Sequence, residues 1–523
     1  MLNRLNVSSF YKPFGIIYSH IGKQSWNICQ WLKENQRGNF SILNPLAPEI
    51  SGVQLIEEND RLNIPTSNEA SLNAGETSPS KREHHFNYTY LFISKDSKAN
   101  ITTLNNQKVK PKTNYFEALR LKSPRQEEPI FKSILTSEGF SVWQLETEQN
   151  SLVDICLHAH STGYTILGDK INKGYQFYRL CLHLFKVRDQ NSFQEWTAEI
   201  PPQFTDLSLI KDQKLCALTE AWHQRNQFII NKLIPEATIR LSHYECPSIR
   251  IDQFGDQLWI YNYEPEFSSI HLFPEFLKLT SNFPTWVREM RNRGSEPNKS
   301  NLIPLNQPKQ RWNATENNLL YELRSDQGLS PGLFLDQREN RQWVQLNSQN
   351  KRVLNLFSYT CGFSLNAAKG GATEVVSVDV SQSFLNWGKT NFQLNGFDPN
   401  QFEFWSTDSI EFIKRTQKKN RKFDLIICDP PSFGRSKNGV FKIERDFSLL
   451  ANLIFSLLAP KGKMLLSSNY EIWSQKDFEI QATKLLPNLD YRICPRPIPG
   501  IDFYEIGTAI LKCLIIEKNI SNE

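Results

Sequence analysis

The residues best equipped for chemistry lie in the last two hundred positions, where short apolar runs stop. The run Val353–Leu356 gives way to Phe357-Ser358-Tyr359-Thr360-Cys361-Gly362 and then to a helical pattern. A strand, a tight turn and a helix in that order bring backbone N–H groups to the carboxyl edge of a sheet, where open α/β folds take their ligands. Asp379 closes the next apolar run, seventeen residues after Gly362, and Asp408 closes the third. An acid at the first place can accept hydrogen bonds from both hydroxyls of a ribose, and one at the second from an adenine amino group. Each would serve equally as a strand-end or cap carboxylate, because Ser381 and Ser409 stand at helix starts. A fourth run ends in Cys428-Asp429-Pro430-Pro431-Ser432-Phe433. Two prolines neither extend a ladder nor enter a helix interior, so they fix the backbone just beyond the same edge.

One glycine in the first turn, where a dinucleotide site has three, suits a cofactor without a pyrophosphate, such as S-adenosylmethionine. The candidate cofactor residues are Phe357, Tyr359, Thr360, Gly362, Asp379, Asp408 and Asp429. Beside them, Asp429 and the carbonyls of Pro430 and Pro431 could hold an acceptor nitrogen, while Phe433 could stack on a flipped base.

Holding these residues in a row requires a sheet. Candidate strands are Val353–Leu356, Val375–Val378, Phe402–Trp405, Leu425–Cys428, Lys463–Ser467 and Ile510–Ile516, with helical stretches Phe363–Lys369, Ser383–Asn395, Ser409–Lys418 and Asp446–Leu458 between them. Such alternation implies right-handed crossovers and a mostly parallel, doubly wound α/β sheet. Polar, breaker-rich stretches at Asp189–Thr205 and Gly294–Asn318 read as domain boundaries, and Glu57–Glu83 as a loop within a domain.

At 523 residues the chain predicts more than one core, and 39% hydrophobic with 22% charged residues is ordinary for a folded protein. A net charge of +5 permits a polyanionic partner without demanding one. No signal-like or eighteen-residue apolar stretch occurs, which predicts a cytoplasmic protein without a membrane partner. Nine cysteines without a CxxC pair fit neither a disulfide framework nor a zinc ribbon. His158 and His160 would share one face of a strand, but nothing nearby completes a ligand set, so no metal is expected.

The motifs together resemble the family of bacterial 23S ribosomal RNA methyltransferases, which has cytosine-C5 and guanine-N7 branches. The resemblance rests on Ser330–Arg341 with its Pro-Gly-Leu-Phe-Leu-Asp-Gln-Arg, on Asn355–Phe363, on Asp379 and on Asp429–Phe433. Ile239–Tyr263 is similar to the small α/β module that precedes the catalytic domain in that family. The resemblance implies a Rossmann-like class I methyltransferase domain at 306–519, after a linker helix and small α/β module at 206–300. Methylation at cytosine C5 needs a thiolate, placed after the fifth strand in that branch. Here Met464-Leu-Leu-Ser-Ser-Asn469 offers no thiol and is similar to the guanine-N7 branch, as is Asp429–Lys437 with Arg445-Asp446 after it. Strand alternation turns Cys428 away from Asp429, and Cys361 reads as a packing residue. On this reading Asp429, Phe433 and Asn469 place the base, while Arg338, Arg435 and Lys437 meet phosphate.

A second resemblance covers residues 8–187, which are similar to the large pseudouridine synthase family acting on structured RNA. It rests on Tyr11–Ile16, Asn44–Gly52, Tyr90, Ser141–Thr147, Gly163–Asp169 and Arg179–His183. Ala47 stands where that family has its essential aspartate, and Asn150–Cys156 lacks two arginines of a family signature. The expectation is a catalytically dead α+β domain over 1–195. The whole chain then reads as an RNA base methyltransferase with 23S rRNA as partner. The alternatives are a non-catalytic RNA-binding or ribosome-assembly protein and a cytosine-C5 enzyme; the oligomeric state is undetermined.

Overall fold

The computed structural model describes residues 7–12, 40–42, 51–58, 85–95, 130–148, 150–230, 238–243, 245–264, 272–280, 282–290, 302–436, 439–486, 490–503 and 511–519. Two compact units divide the chain, the second beginning at Ile234. Among the described residues no helix is long and apolar enough to cross a membrane.

The first unit is built on an eight-stranded sheet: β1 (Val7–Lys12), β2 (Phe40–Ile42), β3 (Ser51–Glu58), β4 (Phe86–Lys95), β5 (Ile130–Ser137), β6 (Phe140–Thr147), β7 (Leu182–Asp189) and β8 (Glu195–Thr197). The order along it is β1-β3-β7-β4-β6-β5, with β2 on β3 and β8 on β7. All pairs are antiparallel except β3 with β7. Helices α1 (Leu152–Ser161) and α2 (Gln213–Ile230) complete the unit. Asp189–Thr205 was expected to be a boundary, yet β8 lies inside it and pairs with β7. The Asp189 carboxylate accepts the N–H groups of Asn191 and Ser192 at 2.7 and 2.9 Å, which turns the chain back into the sheet. His158 and His160 lie on α1 rather than a strand, so their two-residue spacing puts them on different faces. His158 is buried, and His160 bonds Thr165 at 2.9 Å. Ala47 and its flanking Asn44–Ile50 lie outside the described residues.

The second unit opens with a five-stranded sheet of β9 (Thr238–Ser242), β10 (Ile249–Phe254), β11 (Gln257–Asn262), β12 (Thr285–Glu289) and β13 (Leu302–Leu305), in the order β13-β12-β11-β10-β9. Helix α3 (Leu272–Leu279) makes the one parallel crossover, β11 to β12. A hairpin of β14 (Arg311–Glu316) and β15 (Leu319–Arg324) follows. The boundary expected at Gly294–Asn318 and the module end expected at 300 both give way to paired structure among the described residues. Gly294–Asn318 contains β13 and β14, and the small sheet runs to Leu305 instead of stopping at 300. Proline and asparagine around short strands give the stretch a loop-like composition although residues 302–305 and 311–316 are paired.

Then comes the sheet that carries the candidate site. Its strands are β16 (Arg352–Leu356), β17 (Glu374–Asp379), β18 (Glu403–Ser406), β19 (Phe423–Cys428), β22 (Leu458–Ser468), β23 (Tyr491–Cys494) and β24 (Lys512–Lys518). They lie in the order β18-β17-β16-β19-β22-β24-β23; the first five run parallel, and β24 is antiparallel to both neighbours. Helices α4 (Arg338–Leu346), α5 (Gly362–Lys369), α6 (Gln382–Leu394), α7 (Ser409–Lys418), α8 (Ile443–Ser456) and α9 (Gln475–Thr483) accompany it. Two apolar cores hold the layers, one including Val353, Val375, Leu425 and Leu465, the other Leu354, Val376, Ile426 and Met464. Successive residues of each strand enter opposite cores, the period-two pattern of a sheet covered on both faces. All six expected strands are present within a few residues. Unforeseen are β23 and a hairpin of β20 (Phe433–Ser436) and β21 (Gly439–Lys442), each strand only four residues long.

Candidate active site

Register brings the expected residues into one row. Leu356 pairs with Val378 on one side and Cys428 on the other, and Cys428 pairs with Leu466. The next residues out, Phe357, Asp379, Asp429 and Ser467, therefore leave the carboxyl edge side by side.

Between β16 and α5 the backbone turns through left-handed conformations at every second residue: Phe357 at φ 56°, Tyr359 at 48° and Cys361 at 62°. None is glycine, and each such conformation costs about 1–3 kcal/mol. The alternation gathers N–H groups into a concave, anion-attracting edge at a helix N-terminus. Asp379 holds it in place, its carboxylate accepting the Tyr359 N–H at 2.9 Å and the Ser381 N–H at 2.9 Å. Burial raises the Asp379 carboxyl above the usual carboxylate range, and these backbone hydrogen bonds pull it back. These donors leave part of its accepting capacity free, so the carboxylate can still take a ribose hydroxyl.

Other expected cofactor residues take different parts. Gly362 has no left-handed backbone; a Cβ there would stand 3.3 Å from the Arg341 side chain, so this glycine lets α5 start tight against α4. The buried Thr360 hydroxyl donates to the Gly332 carbonyl at 2.6 Å. The Tyr359 ring packs edge-on to Phe384 at 4.6 Å and its hydroxyl donates to the Ser330 carbonyl at 3.3 Å. Phe357 packs against Phe441 at 5.9 Å. Asp408 caps α7, one carboxylate oxygen accepting from Ile410 and Glu411 at 3.0 and 3.1 Å.

On the acceptor side, Asp429 is part-buried and accepts the Ser467 hydroxyl at 2.8 Å. Ser467 in turn accepts the Gln337 amide at 3.0 Å, and Gln337 accepts Asn340 at 2.7 Å. Burial pushes the Asp429 carboxyl up to about 6; Ser467 and Gln337 lower it while the nearby Asp336 charge raises it. Ser467 and Gln337 were not anticipated as partners, although both lie in quoted motifs and strand parity alone would turn Ser467 toward Asp429. Pro430 is buried and Pro431 exposed, followed by the β20–β21 hairpin with Phe433 51% exposed at its base. Asn469 is exposed just past β22.

One phosphate-binding expectation fails. Arg338 is buried and ion-paired with Asp502, donating also to the Thr238 carbonyl at 3.3 Å. An arginine at a helix start looks solvated in sequence; here α4 is roofed by the Ile501–Phe503 turn. Arg435 has its backbone in β20, with its side chain outside the description, and Lys437 lies outside the described residues. Both site thiols are fully buried: Cys361 is pushed by burial up to about 12, and Cys428 well above its ordinary value.

Residues 292–499 match the model of the S-adenosylmethionine-dependent methyltransferase family. Among curated proteins, the Ribosomal RNA large subunit methyltransferase K/L of Psychrobacter cryohalolentis is 33% identical over 270 residues, 47% of this chain and 34% of that one. Methyltransferase K of Neisseria meningitidis is 40% identical over 157 residues, 30% of this chain and 44% of that one. Methyltransferase I of Aeromonas salmonicida is 41% identical over 161 residues, 31% and 40% of the two chains. The chain thus spans well under two thirds of these relatives. A methyltransferase crystallised with SAH superposes at a TM-score of 0.53 with 25% identity, over 58% of this chain and 80% of that one. An S-adenosylmethionine-dependent methyltransferase from Streptococcus mutans has the same fold at a TM-score of 0.52, with 23% identity over 58% and 81%. Residues 292–499 are an S-adenosylmethionine-dependent methyltransferase domain.

Proposed function

We propose that the chain transfers the methyl group of S-adenosylmethionine to a base of 23S ribosomal RNA, and that guanine N7 is the acceptor. What carries the reading is the register of β17, β16 and β19, which sets the Asp379-braced turn beside the Asp429-Pro-Pro exit. A cofactor seated on the first lies next to a base held at the second. The ribosomal substrate is supported by the relatives whose names specify large-subunit rRNA.

When bound, the cofactor supplies an electrophilic methyl on a sulfonium. Guanine N7 carries an unshared pair and loses no proton on attack, so the protein need not supply a strong base. Its work is alignment and exclusion of water. Asp379 orients the ribose, Pro430 and Pro431 fix the backbone facing the acceptor, and Phe433 offers a stacking face. The guanine ring becomes positive as the bond forms, and an ionised Asp429 beside it stabilises that charge. Attack at cytosine C5 would demand a thiolate, and burial holds Cys361 and Cys428 in the neutral form. The test is a map of 23S rRNA modifications with and without the gene. Loss of one N7-methylguanine supports the reading; loss of a C5-methylcytosine instead, or an unchanged map, refutes it.

A further inference from the structure

We propose that Asp336 reads the Watson–Crick edge of the acceptor guanine and so determines which base the enzyme accepts; this inference rests on the reaction proposed above and deepens it. Asp336 lies in the short 3-10 turn Leu335–Gln337, where the chain enters α4. Around it each buried arginine already has its own acid: Arg240 pairs with Asp252, Arg338 with Asp502 and Arg341 with Glu316. No other side chain among the described residues hydrogen-bonds Asp336. Asp336 instead lines a shallow cleft, open to solvent, with Glu339, Asn340, Arg496, Pro497 and Cys513. Its carboxylate takes its own backbone N–H and feels the charges of Arg240, Arg341 and Arg250, and its remaining lone pairs stay open to donors that a ligand brings.

The cleft lies where an acceptor base would end. The cofactor-side turns follow β16 and β17, Asp429 follows β19, and Cys513 stands on β24, two strands further along the row. The Asp336 charge lies close enough to Asp429 to raise its proton affinity, and Gln337, next in the chain, reaches Asp429 through Ser467. A guanine whose N7 faces the methyl donor sends its opposite edge away from it, toward β24. That edge presents N2–H and N1–H side by side and then the O6 acceptor. A carboxylate takes two parallel donors in a bidentate pair. Arg496, which donates one N–H to Gln475 at 2.8 Å, keeps others for O6. No other RNA base offers two adjacent donors followed by an acceptor, so the pairing selects guanine by its hydrogen bonds.

The experiment compares 23S rRNA transcripts made with guanosine or with inosine, which lacks the N2 amino group, using wild type and Asp336→Asn. Wild type should lose roughly tenfold to a hundredfold in kcat/KM on the inosine transcript. Asp336→Asn should lose a comparable factor on the guanosine transcript, become indifferent to the exchange, and bind S-adenosylmethionine as wild type does. Asp336→Glu should recover part of the guanosine activity, which a merely structural role would not produce. If Asp336→Asn discriminates inosine from guanosine as strongly as wild type, the assignment is overturned while the reaction stands. If wild type methylates neither transcript, or a base other than guanine, the reaction itself falls and the assignment with it.

Discussion

Asp379 and Asp429 stand two strands apart on one sheet edge, and their surroundings fit them for different work. Asp379 meets backbone N–H groups that favour its charge, so it is an acceptor tied to the cofactor turn. Asp379→Ala should weaken S-adenosylmethionine binding by roughly tenfold or more in calorimetry; unchanged affinity would defeat the ribose assignment. Asp429 is raised from 3.8 to about 6, so the folded state holds its proton more tightly than the unfolded chain. The stability this contributes is complete below about pH 4 and is lost as pH rises through 6, leaving a charge whose burial costs about 3 kcal/mol at most. Asp429→Asn should therefore be more stable than wild type at pH 8 and not at pH 4, while methyl transfer falls. For wild type, kcat should rise through about pH 6 as the carboxyl ionises; a flat profile between pH 5 and 7.5 would separate Asp429 from the reaction. Strand-end acids were legible in the sequence because an apolar run followed by Asp marks an exit at an edge. Arg338 was not, because its partner Asp502 is far away in sequence. Removing one member of that buried pair, by Arg338→Ala, should cost about 3–5 kcal/mol in urea unfolding. A stable variant with weakened RNA binding would restore the phosphate role.

At the scale of elements, the turn between β16 and α5 is the strained component, and α6 keeps it in shape. A Cβ on Gly388 of α6 would overlap the Cys361 sulfur and stand 3.3 Å from the Thr360 carbonyl. Gly388→Ala should destabilise by about 1–3 kcal/mol and weaken cofactor binding, with Cys361→Ala in the same background restoring part of both. Cys361→Ala alone should keep methyl transfer; its loss would point to a thiol mechanism. The long alternations were legible, since apolar runs separated by helical periods dictate parallel strands. The left-handed residues were not, because Phe, Tyr and Cys carry no preference for positive φ and only their packing imposes it. The four-residue strands β20, β21 and β23 are too short for any period to register, so the hairpin beyond the two prolines emerges only from its pairing.

Across the molecule, the second unit places a small mixed sheet and a hairpin ahead of the methyltransferase sheet. Their strands share a core: Phe254, Trp259, Trp312 and Leu323 pack in one cluster with Val353 and Leu365. Composition obscured that continuity, because polar residues between short strands resemble a linker until the pairing is seen. The N-terminal unit is a mostly antiparallel sheet accompanied by two helices among the described residues. The most direct measurement for the whole is transfer of labelled methyl from S-adenosylmethionine by the purified full chain to rRNA from cells lacking the gene, followed by nucleoside analysis. The expected result is label in N7-methylguanine, sharply reduced by Asp379→Ala at limiting S-adenosylmethionine. No transfer, or label that survives that substitution undiminished, would contradict a cofactor held between the Tyr359 turn and the Asp429 exit.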